Sequence, residues 1–356
     1  MNKKQQAVAI WLILGVVMII IQTLLGGVTR LTGSGLSITE WKPIMGALPP
    51  LGDAQWSEAF EKYKQIGQYK IVNSNFSLSD FKSIFFWEWF HRLWARMLGV
   101  VFAVGFIFFL IRGYFDKKMI RPFIILFILG GLQGLVGWLM VKTGLNTEDV
   151  HVHYVALSIH FIAAMILACY TLWFALQLLI PQAERIHNSA IMRFTIILIA
   201  ITFIQLMYGS FMAGLKAAAV APTWPMINGF WVPPTVMTHS LMYDADQGAL
   251  MLNIHFMHRT IAYVLVILIC WWFVFAKRRV KNSGSDQPTA SRSILFPPVL
   301  VCVQLVLGIT AVLCSPWLGR GKIGTFEIIA ETHQLVAMFL LMALIVNLYV
   351  FSSKRQ

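Results

Sequence analysis

Eight stretches of about twenty or more mostly apolar residues punctuate this chain, at about 8–28, 91–111, 120–141, 154–180, 191–214, 255–276, 294–315 and 328–351. A helix of ~20 residues crosses the ~30 Å hydrocarbon core of a bilayer. Such a stretch satisfies its own backbone hydrogen bonds, which lipid cannot do for it. The expected fold class is therefore an all-α integral membrane protein with eight transmembrane helices. Composition agrees: 58% of the 356 residues are hydrophobic and 12% are charged, against about 25% charged in soluble domains. The first run exceeds a signal-peptide core and continues into Gly26-Gly27-Val28-Thr29-Arg30 without a small-residue cleavage site, so a retained helix is expected. The opening Met1-Asn2-Lys3-Lys4 lacks an Arg-rich transit pattern, which favours a bacterial protein of the inner membrane.

The net charge of +13 is a matter of sidedness. With a cytoplasmic N-terminus, the inside segments carry 15 of the 28 basic residues, among them Arg112, Lys117, Lys118, Arg121, Lys277, Arg278, Arg279, Lys281, Lys354 and Arg355. The shorter outside loops carry Lys142, Lys216, Arg320 and Lys322. The positive-inside rule then places both termini in the cytoplasm, and topology explains the basic balance without nucleic-acid binding. Cys169, Cys270, Cys302 and Cys314 form no CxxC pattern, and no outside loop holds a cysteine, so buried free thiols are expected.

The chain repeats itself. Gln22-x3-Gly26-Gly27, Trp41-to-Gly46 and Pro49-Pro50 recur as Gln205-x3-Gly209-Ser210, Trp224-to-Gly229 and Pro233-Pro234. His91-Arg92 recurs as His258-Arg259, Gln133-to-Gly137 as Gln304-to-Gly308, and His160 as His333. Matching anchors in matching order indicate duplication. Four helices per unit make the repeat parallel. The expected organisation is two tandem, pseudo-symmetric four-helix bundles, residues 1–185 and 186–356, meeting near Pro181-to-Arg185. The first carries a large outside loop over 30–87, in which Trp56, Phe60, Tyr63 and Ile66 have helical spacing. The inside loop 277–293 reads as a basic, then flexible, linker.

His91, His160, His258 and His333 fall near the starts of the second, fourth, sixth and eighth runs, hence at one depth. Two per half is the number that clamps one porphyrin iron from both axial positions, and facing helices of a bundle can hold the flat ring. A zinc site fits less well, because no cysteine or carboxylate cluster accompanies all four. The competing reading gives each histidine a structural hydrogen bond to a neighbouring helix. Arg92 and Arg259 suit heme propionates or internal ion pairs. Glu88 stands three residues before His91, on the same helix face, whereas His255 stands three before His258. Only the first half thus pairs a carboxylate with a histidine, and a buried glutamate can serve as an acid–base group or stabilise a developing cation. The bland alternative is a glutamate paired with Arg92 or Arg96.

With Glu88-x2-His91-Arg92, His160, His258-Arg259, Glu331-Thr332-His333-Gln334, the Gly26-to-Arg30 run and the duplication, the chain resembles the heme A synthase family over nearly its whole length. The resemblance implies oxidation of the C8 methyl of heme O to a formyl by successive hydroxylations, giving heme A for terminal oxidases. It implies that His91 and His160 hold the substrate heme iron, that His258 and His333 hold the iron of a heme b, and that Glu88 is the catalytic carboxylate. It brings in heme O synthase and the oxidase assembly machinery as partners, together with an unspecified electron acceptor, and leaves further copies of the chain open. Some family members carry a cysteine pair in an outside loop; residues 30–87 contain no cysteine. Two other functions compete. A diheme b-type electron-transfer cytochrome would leave both hemes chemically unchanged and has no use for Glu88 in one half alone. A transporter would hold heme loosely.

Overall fold

The computed structural model describes residues 3–41, 45–282, 288–318 and 323–352. Residues 42–44 of the Trp41-to-Gly46 motif, part of the 277–293 linker, and Arg320, Lys322, Lys354 and Arg355 of the charge argument lie outside them. The helices in chain order are α1 (Lys3–Leu31), α2 (Asp53–Tyr63), α3 (Leu78–Ile111), α4 (Lys117–Lys142), α5 (Tyr154–Leu179), α6 (Ser189–Gly214), α7 (Gln247–Asn282), α8 (Pro288–Ser293), α9 (Phe296–Cys314) and α10 (Thr325–Phe351). Apart from the short α2 and α8, these give eight helices long and apolar enough to cross a membrane. Among the described residues there is no named β-strand.

Two helices start earlier than their apolar runs. A capping box begins α3 at Ser77, whose hydroxyl accepts from the Asp80 amide while the Asp80 carboxylate accepts from the Ser77 amide. The Asp246 carboxylate accepts from the amides of Gly248 and Ala249 at the head of α7. At 34 residues, α3 is about 51 Å long. It exceeds the hydrocarbon core, so its first turns stand clear of it. Onto that extension fold α2 and the loop around it: Leu36, Phe60, Tyr63 and Ile66 form a small core with Phe81, Ile84 and Phe85. The helical spacing read in this loop is therefore real, and its apolar face covers α3.

In the bundle, α1 packs against α3 and α5, and α4 against α5; α6 packs against α7 and α10, and α9 against α10 and α7. Contacts of α5 with α6 and α10, and of α1 with α10, join the two sets. Trp11, Phe109, Phe123 and Phe174 centre one core; Leu198, Ile269, Trp272 and Val350 centre another. Ile107, Ile111, Ile267, Val299 and Val306 point outward and exposed, as lipid-facing positions must. All four cysteines are free. Cys302 is exposed and Cys169, Cys270 and Cys314 are half-buried, so full burial holds for none of them.

The sets differ on one side. α7 and α9 pack together, whereas α3 and α4 make no comparable approach among the described residues. Phe127 of α4 bridges to Phe102 and Phe106 of α3, with ring centroids at 4.7 and 5.2 Å. Nearer the long loop, a side chain added at Gly99, Gly130, Gly131 or Gly134 would meet nothing within 4 Å.

Candidate heme sites and the carboxylate beside one of them

Each of the four histidines sits in the same small structure. A glutamine and a glycine four residues apart share one helix face and meet the imidazole of the next helix. The side-chain nitrogen of Gln22 on α1 lies 3.2 Å from both ring nitrogens of His91 on α3. That of Gln133 on α4 lies 3.3 Å from Nδ1 of His160 on α5. Gln205 on α6 approaches Nδ1 of His258 on α7 to 3.1 Å, and Gln304 on α9 approaches Nε2 of His333 on α10 to 3.2 Å. The glycines permit the approach. A Cβ at Gly26, Gly137, Gly209 or Gly308 would stand 3.2, 2.7, 3.2 or 2.9 Å from Cε1 of the same histidine. The sequence repeat has four helices per half; the geometry shows a finer unit, one helix pair, used four times.

The histidines come together in pairs within each half. The rings of His258 and His333 face one another with centroids 6.3 Å apart and planes at 75°. Two metal–nitrogen bonds of about 2 Å, with the ring radii added, span about 6 Å, so one iron fits between them. His91 lies within electrostatic reach of His160. Among the described residues no three or more His, Cys, Asp or Glu side chains converge on one point. A porphyrin iron takes only two axial ligands from protein, so pairs suffice.

Glu88 is buried, 2% exposed, and fully engaged. One oxygen accepts from the Ser37 hydroxyl at 2.7 Å and the Ile38 amide at 2.8 Å; the other pairs with Arg92 at 2.5 Å. Arg92 also donates to the carbonyls of Ile38 and Glu40. In the second half, Arg259 donates to the carbonyls of Ala221, Thr223 and Met226, and its Nε donates to Nε2 of the fully buried His255 at 3.0 Å. Both guanidiniums therefore pin the loop that follows the first helix of their half, and they do so through the protein's own carbonyls. Glu88 and His255 are equivalent partners of equivalent arginines. Only Glu88 supplies a carboxylate.

Sequence reasoning passed over two features. The four glutamines appeared as repeat anchors without a link to the histidines; their shared i, i+4 spacing with glycine, one helix before each histidine, was the available signal. Glu331 appeared only within a motif. Its carboxylate occupies the space above Gly27, next to the glycine that packs on His91, and accepts from Gln334 at 3.2 Å. It thus lies at the α1–α10 seam, two residues from His333.

Eight membrane-length helices, with His258 and His333 facing each other in one half and His91 within electrostatic reach of His160 in the other, define a polytopic membrane protein. The chain belongs to the COX15-CtaA family, described as cytochrome oxidase assembly protein, whose family model matches residues 9–345. It is 36% identical to the heme A synthase of Flavobacterium johnsoniae over 354 residues, covering 98% of this chain and 99% of that one. It is 36% identical to that of Flavobacterium psychrophilum, with 98% and 99% covered. Against that of Bradyrhizobium diazoefficiens it is 39% identical over 345 residues, with 96% and 90% covered.

Proposed function

We propose that this chain is a heme A synthase that oxidises the C8 methyl of heme O to a formyl group by successive hydroxylations. The reading rests above all on the paired histidines, each on its glycine-lined helix contact, in a chain related along its whole length to proteins named for that activity. Residues 1–185 form the half that takes heme O, with His91 and His160 toward its iron. Residues 186–356 form the half that holds heme b between His258 and His333. A heme b held there would supply one-electron transfer, and the four electrons that a methyl-to-formyl conversion removes overall would pass to an electron acceptor. Glu88 is the candidate catalytic carboxylate: it is buried beside His91, and Arg92, Ser37 and the Ile38 amide hold it in one orientation. A carboxylate fixed there suits a proton acceptor or a group that stabilises developing positive charge. Arg92 and Arg259 order the loops over the two sites.

The opening between α3 and α4 supports the assignment of halves, since a substrate must enter and leave whereas a resident cofactor need not. The bundle lies in the bacterial inner membrane with both termini cytoplasmic, where a heme O synthase delivers substrate and oxidase assembly takes product. The test is mass analysis of hemes extracted from the protein purified after co-expression with a heme O synthase. Heme O converted to its alcohol or aldehyde beside unchanged heme b supports the enzyme. Two unchanged b hemes, with heme O available, would make it an electron-transfer cytochrome.

A further inference from the structure

The open side of the first half has an aromatic bridge at each end, and the two bridges are unlike. Phe127, Gly130, Gly131, Gly134 and Trp138 recur at three- and four-residue steps, so they form one stripe along α4. From Phe127 to Trp138 the stripe runs about 16 Å. At its inner end Phe127 meets Phe102 and Phe106 of α3. Those two rings also lie against the fully buried Phe123, so this bridge opens only if the helices part. At the outer end Trp138 meets Trp41 of the long loop, with ring centroids 6.1 Å apart and planes at 50°. Lys142 lies over the Trp138 ring at 5.4 Å.

Trp41 ends a segment that α3 holds. Arg92 donates to the carbonyls of Ile38 and Glu40, and Glu88 accepts from the Ile38 amide. The segment is therefore a strap, tied to α3 beside His91 and reaching α4 through the Trp41 ring. That ring is 51% exposed, and it can swing off Trp138 without parting two helices. The second half builds the strap differently. Trp224 stands at the repeat position of Trp41, and Ile309 at that of Trp138. The Trp224 indole N–H donates to the Tyr263 hydroxyl at 3.0 Å, so this ring turns back onto α7, the helix whose Arg259 holds its segment. The strap crosses in the half with an opening and turns back in the half that α7 and α9 close.

We propose that Trp41 and Trp138 are the outer gate of the α3–α4 opening, positioning residues that keep a once-oxidised heme in the first half until its second oxidation. Two oxidations at one methyl require the ring to stay after the first. A gate that opens by moving a loop side chain admits substrate and then holds the alcohol. This inference rests on the function proposed above.

The test uses the full chain co-expressed with a heme O synthase. Hemes extracted from the membranes are weighed, and the ratio of heme alcohol to aldehyde is read. Heme b is measured in the purified protein. Trp41→Leu raises the ratio severalfold at wild-type heme b content. Trp138→Leu does the same, the double variant adds nothing further, and Trp41→Phe, which keeps an aromatic ring, moves the ratio back toward wild type. A ratio unchanged in both leucine variants, whether or not total product falls, overturns the gate and leaves two interfacial anchors. If Trp138→Leu loses heme b, Trp41→Leu decides alone, because its half-exposed loop side chain supports no helix contact. Wild-type protein that yields neither alcohol nor aldehyde overturns the function reading, and this inference with it.

Discussion

The two halves of this bundle use the same histidine cradle and differ in what surrounds it. Beside His91 the first half has Glu88 paired with Arg92; beside His258 the second has His255 paired with Arg259. The first leaves the α3–α4 side open above Phe127, with Gly130, Gly131 and Gly134 facing empty space. The second closes the equivalent side by packing α9 on α7, with Val301 in the core and Leu305 where the first half has Gly134. Under the function proposed above, an acid and an opening would suit the first half to a substrate that is changed and released, and their absence would suit the second to a cofactor that stays.

The largest expected effect comes from removing the acid. Glu88→Gln keeps the size of the side chain and the contact with Ser37 but takes away the carboxylate. Heme A formation falls by about 100-fold, while heme b content, read from the reduced absorption spectrum, stays at the wild-type level. Normal heme A output would reduce Glu88 to a loop clamp equivalent to His255. Ser37→Ala separates the two roles further. It removes one hydrogen bond, worth about 1 kcal/mol, so it lowers thermal stability slightly and leaves heme A formation within about twofold of wild type.

A smaller effect follows from making the first half resemble the second. Gly134→Leu and Gly130→Val fill the open side and slow conversion of heme O severalfold, without changing heme b content. Equal conversion rates would show that substrate does not use that side.

The smallest effect lies at the seam between the halves. Burial, then Lys216 and then Arg30, pushes His151 down to about 4. It lines a cavity of about 560 Å³ with Tyr154, Gly214, Lys216 and Met251. Its folded value lies below the ordinary histidine value of about 6.5. The unfolded chain therefore takes up the proton first, and stability present above about 6.5 declines as pH falls toward about 4. Hydrogen exchange in the 143–153 loop, taken relative to the intrinsic rate at each pH, should rise between pH 7 and pH 5, and His151→Gln should flatten that rise.

Much of this was legible in the sequence, because lipid imposes a simple rule on chain length and polarity. Eight apolar runs became eight helices long and apolar enough to cross a membrane, and His258 and His333 became a facing pair. The early starts of α3 and α7 were hidden, since Ser77-to-Asp80 and Asp246 act through local capping rather than apolarity. The glutamine cradles were half visible: Gln22-x3-Gly26 and its three copies stood out as a pattern, but only helix packing shows which side chain fills the space over a glycine. The α3–α4 opening was invisible, because a glycine facing empty space and a glycine under an imidazole look alike in a sequence.

The division of labour is tested most directly by extracting and weighing the hemes of His91→Ala and His333→Ala, each co-expressed with a heme O synthase. The account predicts that His91→Ala keeps heme b and makes no heme A, while His333→Ala loses heme b. Heme A made by His91→Ala, or heme b lost from His91→Ala and kept by His333→Ala, would contradict it.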